Sequence, residues 1–439
     1  MRQRYIFWFW LPLFASWLLM TAEGPIISAA INRLPNEVTM LAAYGIVVSL
    51  SVMIESPIIN MLATSTALVK DRASYMLVRR FTIHWAILLT IISVLLAFTP
   101  LFKWVVIDLL DTPLEVAQWV KPGLQIMIFW SAAIAWRRFL QGVIIHFGQT
   151  SKVAWGTGVR LVASGGTAVI LALFSDWSGV IIGAVSLMAG VIAEAVYATI
   201  AVRPILQNEL HPDQPAAAGE PLTYRALFWF HLPLAGTSLL ILITQPMVTS
   251  SLARLDDPLI SLAAWPVVFQ IMLMARAAAL ALPEVVIALS DKPDSFMPVR
   301  RFSFNLTAVI TLAMLLFVFT PAASFYIFVV QDMTPVVGQL ARTSLIYFLL
   351  FPALATIISW LRGLLINQRR TRFVNMGMVI NLGITAVVLG VGLFLRWSGI
   401  PTAALAFNLA AVGEIVYLGW RTRQALPTNM RLLGLPSSP

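Results

Sequence analysis

A carboxylate and a guanidinium occupy equivalent places in two copies of one long apolar stretch. Residues 41–57 read LAAYGIVVSLSVMIESP and carry Glu55. Residues 262–278, 221 positions further on, read LAAWPVVFQIMLMARAA and carry Arg276 at the place of Glu55. A charge at the centre of a membrane helix costs about 2.5–3.5 kcal/mol on insertion scales, so each group must face a wet cavity or a partner. On one reading Arg276 attracts the anionic part of a solute while Glu55 binds a proton or a cationic part. On the other, the two form a buried ion pair that locks two halves of the protein together.

Other ionisable groups stand in similar stretches. Glu23 lies beside Pro25, and a desolvated carboxylate there would suit proton or cation coupling, unless it stays hydrated near the outer surface. Pro25 and Pro246 interrupt the first apolar stretch of each copy. Proline removes a backbone bond and kinks a helix, so both are candidate hinges. Glu284, just after Pro283, is a candidate gate or a solvated end residue. Glu194 and Glu414 are 220 apart in the last stretch of each copy. Their symmetry suggests a structural role, such as pairing with Arg160 or another inner basic residue. Asn60, Asn375, Asn381 and Asn408 read as polar glue between helices. Gly156, Gly158, Gly165, Gly166, Gly377, Gly383 and Gly390 read as close-packing points. His84, His146, His211 and His231 have no ligand spacing, and there is no cysteine, so neither a metal site nor a thiol nucleophile is expected. No phosphate-binding loop, GxSxG or HExxH occurs, so no catalytic residues, and no enzyme, are expected.

The elements that must hold these residues are membrane helices. The 439 residues are 59% hydrophobic and 11% charged, with a mean hydropathy of +0.87. A soluble domain carries about 25% charged residues. The apolar runs are long and uninterrupted, which favours helices over a barrel. Twelve spans are predicted, at about 6–29, 38–66, 82–103, 119–146, 153–174, 178–201, 227–250, 259–288, 303–330, 338–366, 373–395 and 399–420. The first follows MRQR, is too long for a signal segment, and is expected to be retained.

The repeat extends along the chain. LPLFAS at Leu11 answers LPLAGT at Leu232, Arg79-Arg80-Phe81 answers Arg300-Arg301-Phe302, and Gly142 answers Gly363, all 221 apart. The fold class expected is therefore an all-α integral membrane protein of two pseudo-symmetric six-helix bundles. The first lobe spans 1–203, a polar linker 204–225, the second lobe 226–423 and a tail 424–439. An even span count places both lobes in the same sense about an axis along the membrane normal. Counting Arg137, Arg138, Arg160 and Arg362 as helix ends beside the loops, 22 basic residues fall on the side of the N-terminus and 6 on the other. Both termini are then cytoplasmic, in what is expected to be a bacterial inner membrane. This placement in short loops also argues against nucleic-acid binding.

Ile31-Asn32-Arg33, Met40 to Gly45, Ser49-Leu50 and Pro57 resemble the progressive ankylosis family of transporters. That family is grouped in the multidrug/oligosaccharidyl-lipid/polysaccharide (MOP) flippase superfamily with multidrug and toxin extrusion (MATE) proteins. The likeness is strongest over the first two helices. It implies export of anions such as citrate, ATP or pyrophosphate, and Glu55 is an acid where an anion pathway would favour neutral or basic groups.

The function expected is a secondary transporter exporting a small organic or amphipathic ion by alternating access. Its central cavity would lie between the lobes, lined by helices 1, 2, 7 and 8. It would use no cofactor beyond a coupled proton or sodium ion, and it is expected to act as a monomer among membrane lipids. A flippase for a lipid or lipid-linked precursor is the alternative, and would need a lateral opening and apolar grooves. A non-transporting scaffold is the third, and would need no wet cavity.

Overall fold

The computed structural model describes residues 3–211, 221–289, 293–368 and 370–425. The Pro- and Ala-rich part of the expected linker, 212–220, and the tail after 425 lie outside them. Among the described residues twelve longer helical segments follow one another, six in each half of the chain, with shorter helices at Lys103–Leu109 and Pro321–Val330 between them. The first half has α1 (Gln3–Ile31), α2 (Glu37–Leu68), α3 (Arg72–Phe98), α4 (114–146), α5 (Thr150–Phe174) and α6 (Gly179–Asn208). The second has α7 (Tyr224–Leu252), α8 (258–289), α9 (Pro293–Phe319), α10 (335–367), α11 (Thr371–Phe394) and α12 (Gly399–Ala425). Among the described residues, 10 helices are long and apolar enough to cross a membrane, and α10, bent by 45° at its break, makes an eleventh. The remaining segment, α4, is divided by a 3-10 turn at Met127–Phe129.

Some of the interruptions fall at matching places. α2 breaks at Asn60, three residues after Pro57. α8 breaks at Arg276 and again at Ala281, the position that answers Asn60. α7 breaks at Ile243, three residues before Pro246, where the missing proline N–H leaves one carbonyl without its helical donor. α1 runs unbroken through Pro25.

Packing divides the chain into two compact units whose borders differ from the expected lobes. One unit is Ile26–Arg254 with Pro258–Ala263; the other is Met1–Pro25 with Leu255–Asp257 and Ala264–Pro439. The repeat runs by halves, but α7 is packed with the first-half helices and the start of α1 with the second-half helices. Hydrogen bonds give the reason. His231 of α7 bridges α2 through Nε2, which donates to the Pro57 carbonyl at 2.9 Å, and through Nδ1, 2.8 Å from Thr64 Oγ1. Asn60 Nδ2 donates to the Leu234 carbonyl at 2.9 Å and to Ser238 Oγ at 2.6 Å. In the other unit, Trp10 of α1 donates to the Ala278 carbonyl at 3.1 Å, and Gln331 donates to the Pro25 carbonyl at 3.1 Å. His231, Asn60 and Trp10 thus tie their helices together at or near the breaks in α2 and α8.

Two glycines let half-helices approach. A Cβ on Gly142 of α4 would strike the Leu62 carbonyl and meet Ser65 Cβ at 2.5 Å. A Cβ on Gly363 of α10 would meet Val286 Cβ at 2.7 Å. Gly158, Gly166, Gly383 and Gly390, expected as packing points, have no neighbour within 4 Å, because a nearly uniform apolar helix does not reveal in its sequence which face is inward. Gly142→Val is expected to lower stability by about 1–3 kcal/mol through overpacking. The unfolding midpoint in detergent, followed by tryptophan fluorescence, measures this, and an unchanged midpoint would contradict the close approach of α2 and α4.

Candidate functional site

Each compact unit encloses a cluster of charged side chains within its helices. In the unit holding Ile26–Arg254, the cluster is built on Glu194 of α6, which is fully buried. Arg137 of α4 donates from Nη1 to Glu194 Oε2 at 2.7 Å, and Gln141, one turn on, donates from Nε2 to Oε1 at 2.9 Å. Arg160 of α5 approaches Oε2 at 3.9 Å and rests its guanidinium 5.8 Å from the centroid of the Trp130 ring.

Glu55 lies on the last turn of α2 before the break, 7% exposed, within electrostatic reach of Arg137, Arg160 and Arg138. The Trp130 indole approaches it, but Trp130 Nε1 and Glu55 Oε2 close no well-formed hydrogen bond and both stay without a partner. Arg137 Nε, Arg138 Nε and Gln141 Oε1 are also buried without partners. Buried polar atoms are nearly always satisfied, so five orphans in one cluster single it out. A cavity of about 10 Å³ lined by Ser51, Ile54, Trp130 and Ser131, with Ser93 and Met127, has room for about one water beside it.

In the unit holding Ala264–Pro439, the anchor is Glu414 of α12, also fully buried. Arg362 of α10 donates from Nε to Glu414 Oε1 at 2.7 Å, and Asn381 of α11 donates to Oε2 at 2.9 Å. Arg276 interrupts α8, with φ −91° and ψ 0°. Its guanidinium lies 5.5 Å from the centroid of Phe351 and its Nε has no partner. Arg362 and Glu414 are its charged neighbours.

The two clusters occupy equivalent positions of the repeat. At an offset of 221, Glu55 answers Arg276, Trp130 answers Phe351, Gln141 answers Arg362 and Arg160 answers Asn381, and Glu194 answers Glu414 at 220. In both, a buried glutamate accepts from one guanidinium and one amide, and an arginine rests on the ring that opens a half-helix. Which position supplies the charge is exchanged. Both clusters hold one more arginine than carboxylate: Arg137, Arg138 and Arg160 against Glu55 and Glu194, then Arg276 and Arg362 against Glu414. The charge around Glu55 is thus basic on balance.

The sequence brought Glu55, Arg276, Glu194 and Glu414 forward, and the structure gathers Glu55 with Glu194, and Arg276 with Glu414. Arg137, Arg138, Arg160 and Arg362 were read as helix ends beside loops. Instead Arg137 is buried, the others are at least partly buried, and all four belong to the clusters, because each sits on a helix turn facing an acid or its neighbours. Testing the 221 offset on every polar residue would have exposed Gln141–Arg362 and Arg160–Asn381. Glu23 is buried on α1, outside both clusters; next to it, a Cβ on Gly24 would meet the Gln270 side chain at 3.1 Å. Glu284 is exposed on the segment Leu282–Leu289. Pro246 is buried just past the break in α7. Among the described residues, no group of three or more potential metal ligands converges.

No protein-family model matches the chain, and no curated protein matches its sequence. Solved structures do match along nearly the whole length. An inward-facing multidrug resistance MATE family transporter of the MOP superfamily aligns with TM-score 0.70 and 12% identity, over 93% of this chain and 95% of that one. The lipid II flippase MurJ in an inward closed conformation aligns with TM-score 0.73 and 12% identity, over 94% and 87%. A MOP superfamily transporter from Pyrococcus furiosus, described as having a binding pocket of reverse polarity, aligns with TM-score 0.64 and 11% identity, over 97% of each chain. The chain therefore shares the fold of these solved structures.

Proposed function

We propose that this chain is a secondary transporter that moves an organic anion across the membrane by alternating access. One observation carries the reading: both buried clusters hold an excess guanidinium, with donors such as Arg276 Nε and Arg138 Nε left open. A buried cation without a partner is costly, and a carboxylate or phosphate of a passing solute satisfies it with charge-assisted hydrogen bonds. Glu55, set among three arginines, is the group to exchange a proton or sodium ion as the solute enters and leaves. The resemblance of the first two helices to the progressive ankylosis family agrees with an anionic cargo. The eighteen basic residues that remain on the N-terminal side, against six opposite, support cytoplasmic termini.

The test is uptake into proteoliposomes under an imposed proton or sodium gradient, with labelled di- and tricarboxylates and nucleotides set against labelled organic cations. Saturable, gradient-dependent uptake of an anion is the expected result; uptake of cations alone would overturn the reading. The likeness to a lipid flippase supports a second cargo, a lipid-linked anion, whose phosphates would meet the same guanidinia. Movement of labelled lipid without soluble anions would select it.

A further inference from the structure

We propose that the paired arginines at the start of α3, Arg79 and Arg80, form a binding site for an anionic phospholipid. A groove of about 360 Å³ runs along this end of α3, lined by Ala73, Met76, Leu77, Arg79, Arg80 and Ile83. Its walls are apolar except for the two guanidinia, and no acidic side chain lines it. Arg79 is held rather than splayed into solvent. Its guanidinium lies 5.9 Å from the centroid of the Trp136 ring, and Trp136 is itself fixed by donating to Thr199 Oγ1 at 2.9 Å. Arg79 Nε is buried and has no acceptor. A fixed guanidinium with an open donor matches a phosphate oxygen.

The occupant follows from what continues the groove. Met76 and Ile83 are exposed, and beyond them the outward face of α3 presents Ile87, Ile91, Leu95 and Phe98, all exposed. That face is hydrocarbon for the length of the span. A ligand with a phosphate at one end and acyl chains at the other covers both parts, whereas free phosphate covers only the first.

The second half of the chain repeats the sequence and exposure of this segment, although there Arg300 donates to Met297 Sδ rather than lying on a tryptophan ring. MLVRRFTI at 76–83 becomes MPVRRFSF at 297–304, an offset of 221. Met297, Arg301 and Phe304 are exposed, Arg300 is half-buried and Phe302 is buried, as are their counterparts position by position. Topology alone asks for basic residues near a helix end; it does not ask for the same exposed apolar residues three before and three after an arginine pair.

Native mass spectrometry of the full-length protein, exchanged into detergent with equal phosphatidylglycerol and phosphatidylcholine, tests the site. Wild type should retain phosphatidylglycerol preferentially. R79Q/R80Q should weaken retention by roughly fivefold per arginine and lower the bound number by one, and adding R300Q/R301Q should remove a second. Arg72→Gln, next to the groove but not lining it, serves as control and should change nothing. Should R79Q/R80Q fail to insert, R79K/R80K keeps the charge and loses the planar fork, and a measurable drop is still expected. Unchanged retention in either double variant overturns the proposal. So does full displacement of the lipid by inorganic phosphate with no preference left between the two phospholipids, which would mark a site for free phosphate.

Discussion

Glu194→Ala is expected to destabilise the protein by about 3–5 kcal/mol, the usual cost of removing one partner from a buried ion pair. Glu194 is the carboxylate that Arg137 and Gln141 both contact, with Arg160 at 3.9 Å, and the Glu194 and Arg137 side chains are 0% and 4% exposed. Without it, Arg137, Arg138 and Arg160 share only Glu55 as a counter-charge. Glu194→Gln keeps the shape and one acceptor, and should recover only a part of the loss. The equivalent change, Glu414→Ala, should cost less, because the Arg362 side chain is 26% exposed and can turn towards water. Unfolding in detergent, followed by the fluorescence of the 15 tryptophans, ranks the three variants. Equal midpoints for Glu194→Ala and wild type would show that Glu194 does not hold the cluster together.

Arg276→Gln should behave in the opposite way, leaving the fold intact while transport falls roughly ten- to hundredfold. Arg276 leans on Phe351, and its Nε is open. Glu414, its charged neighbour, already accepts from Arg362 and Asn381, so the substitution strips no carboxylate of its hydrogen bonds. What is lost is a charge-assisted bond to cargo, worth about 1.5–3 kcal/mol, which converts to that range of rates. Arg276→Lys keeps the charge without the planar fork and should restore only part of the rate. Normal anion uptake by Arg276→Gln, beside an unfolding midpoint equal to wild type, would remove Arg276 from the site. Glu55→Gln offers the complementary experiment. It leaves three guanidinia facing Glu194 alone, so anion binding should strengthen while dependence on the imposed gradient weakens.

The pairing of these effects follows from the repeat. At three answering positions the charge is exchanged: Gln141 answers Arg362, Arg160 answers Asn381 and Glu55 answers Arg276. Each cluster thereby retains one arginine more than its carboxylates. A bundle that gained charge at one position without losing it at another would carry the full desolvation cost.

The sequence by itself determined the long apolar helices, their two-fold repetition and the exceptional standing of Glu55, Arg276, Glu194 and Glu414. Those features are local: hydropathy over about 20 residues decides whether a helix spans, and an internal offset needs only the chain to be compared with itself. Tertiary structure alone decided which charges meet. Arg137 and Glu194 are 57 positions apart, and they touch because α4 and α6 are turned about their axes so that these two faces coincide. A helix apolar on nearly every side has no pattern in its sequence to fix that rotation. For the same reason the grouping of α7 with α2, through His231 and Asn60, emerged only from packing, where breaks in the backbone expose carbonyls that polar side chains from another helix must satisfy.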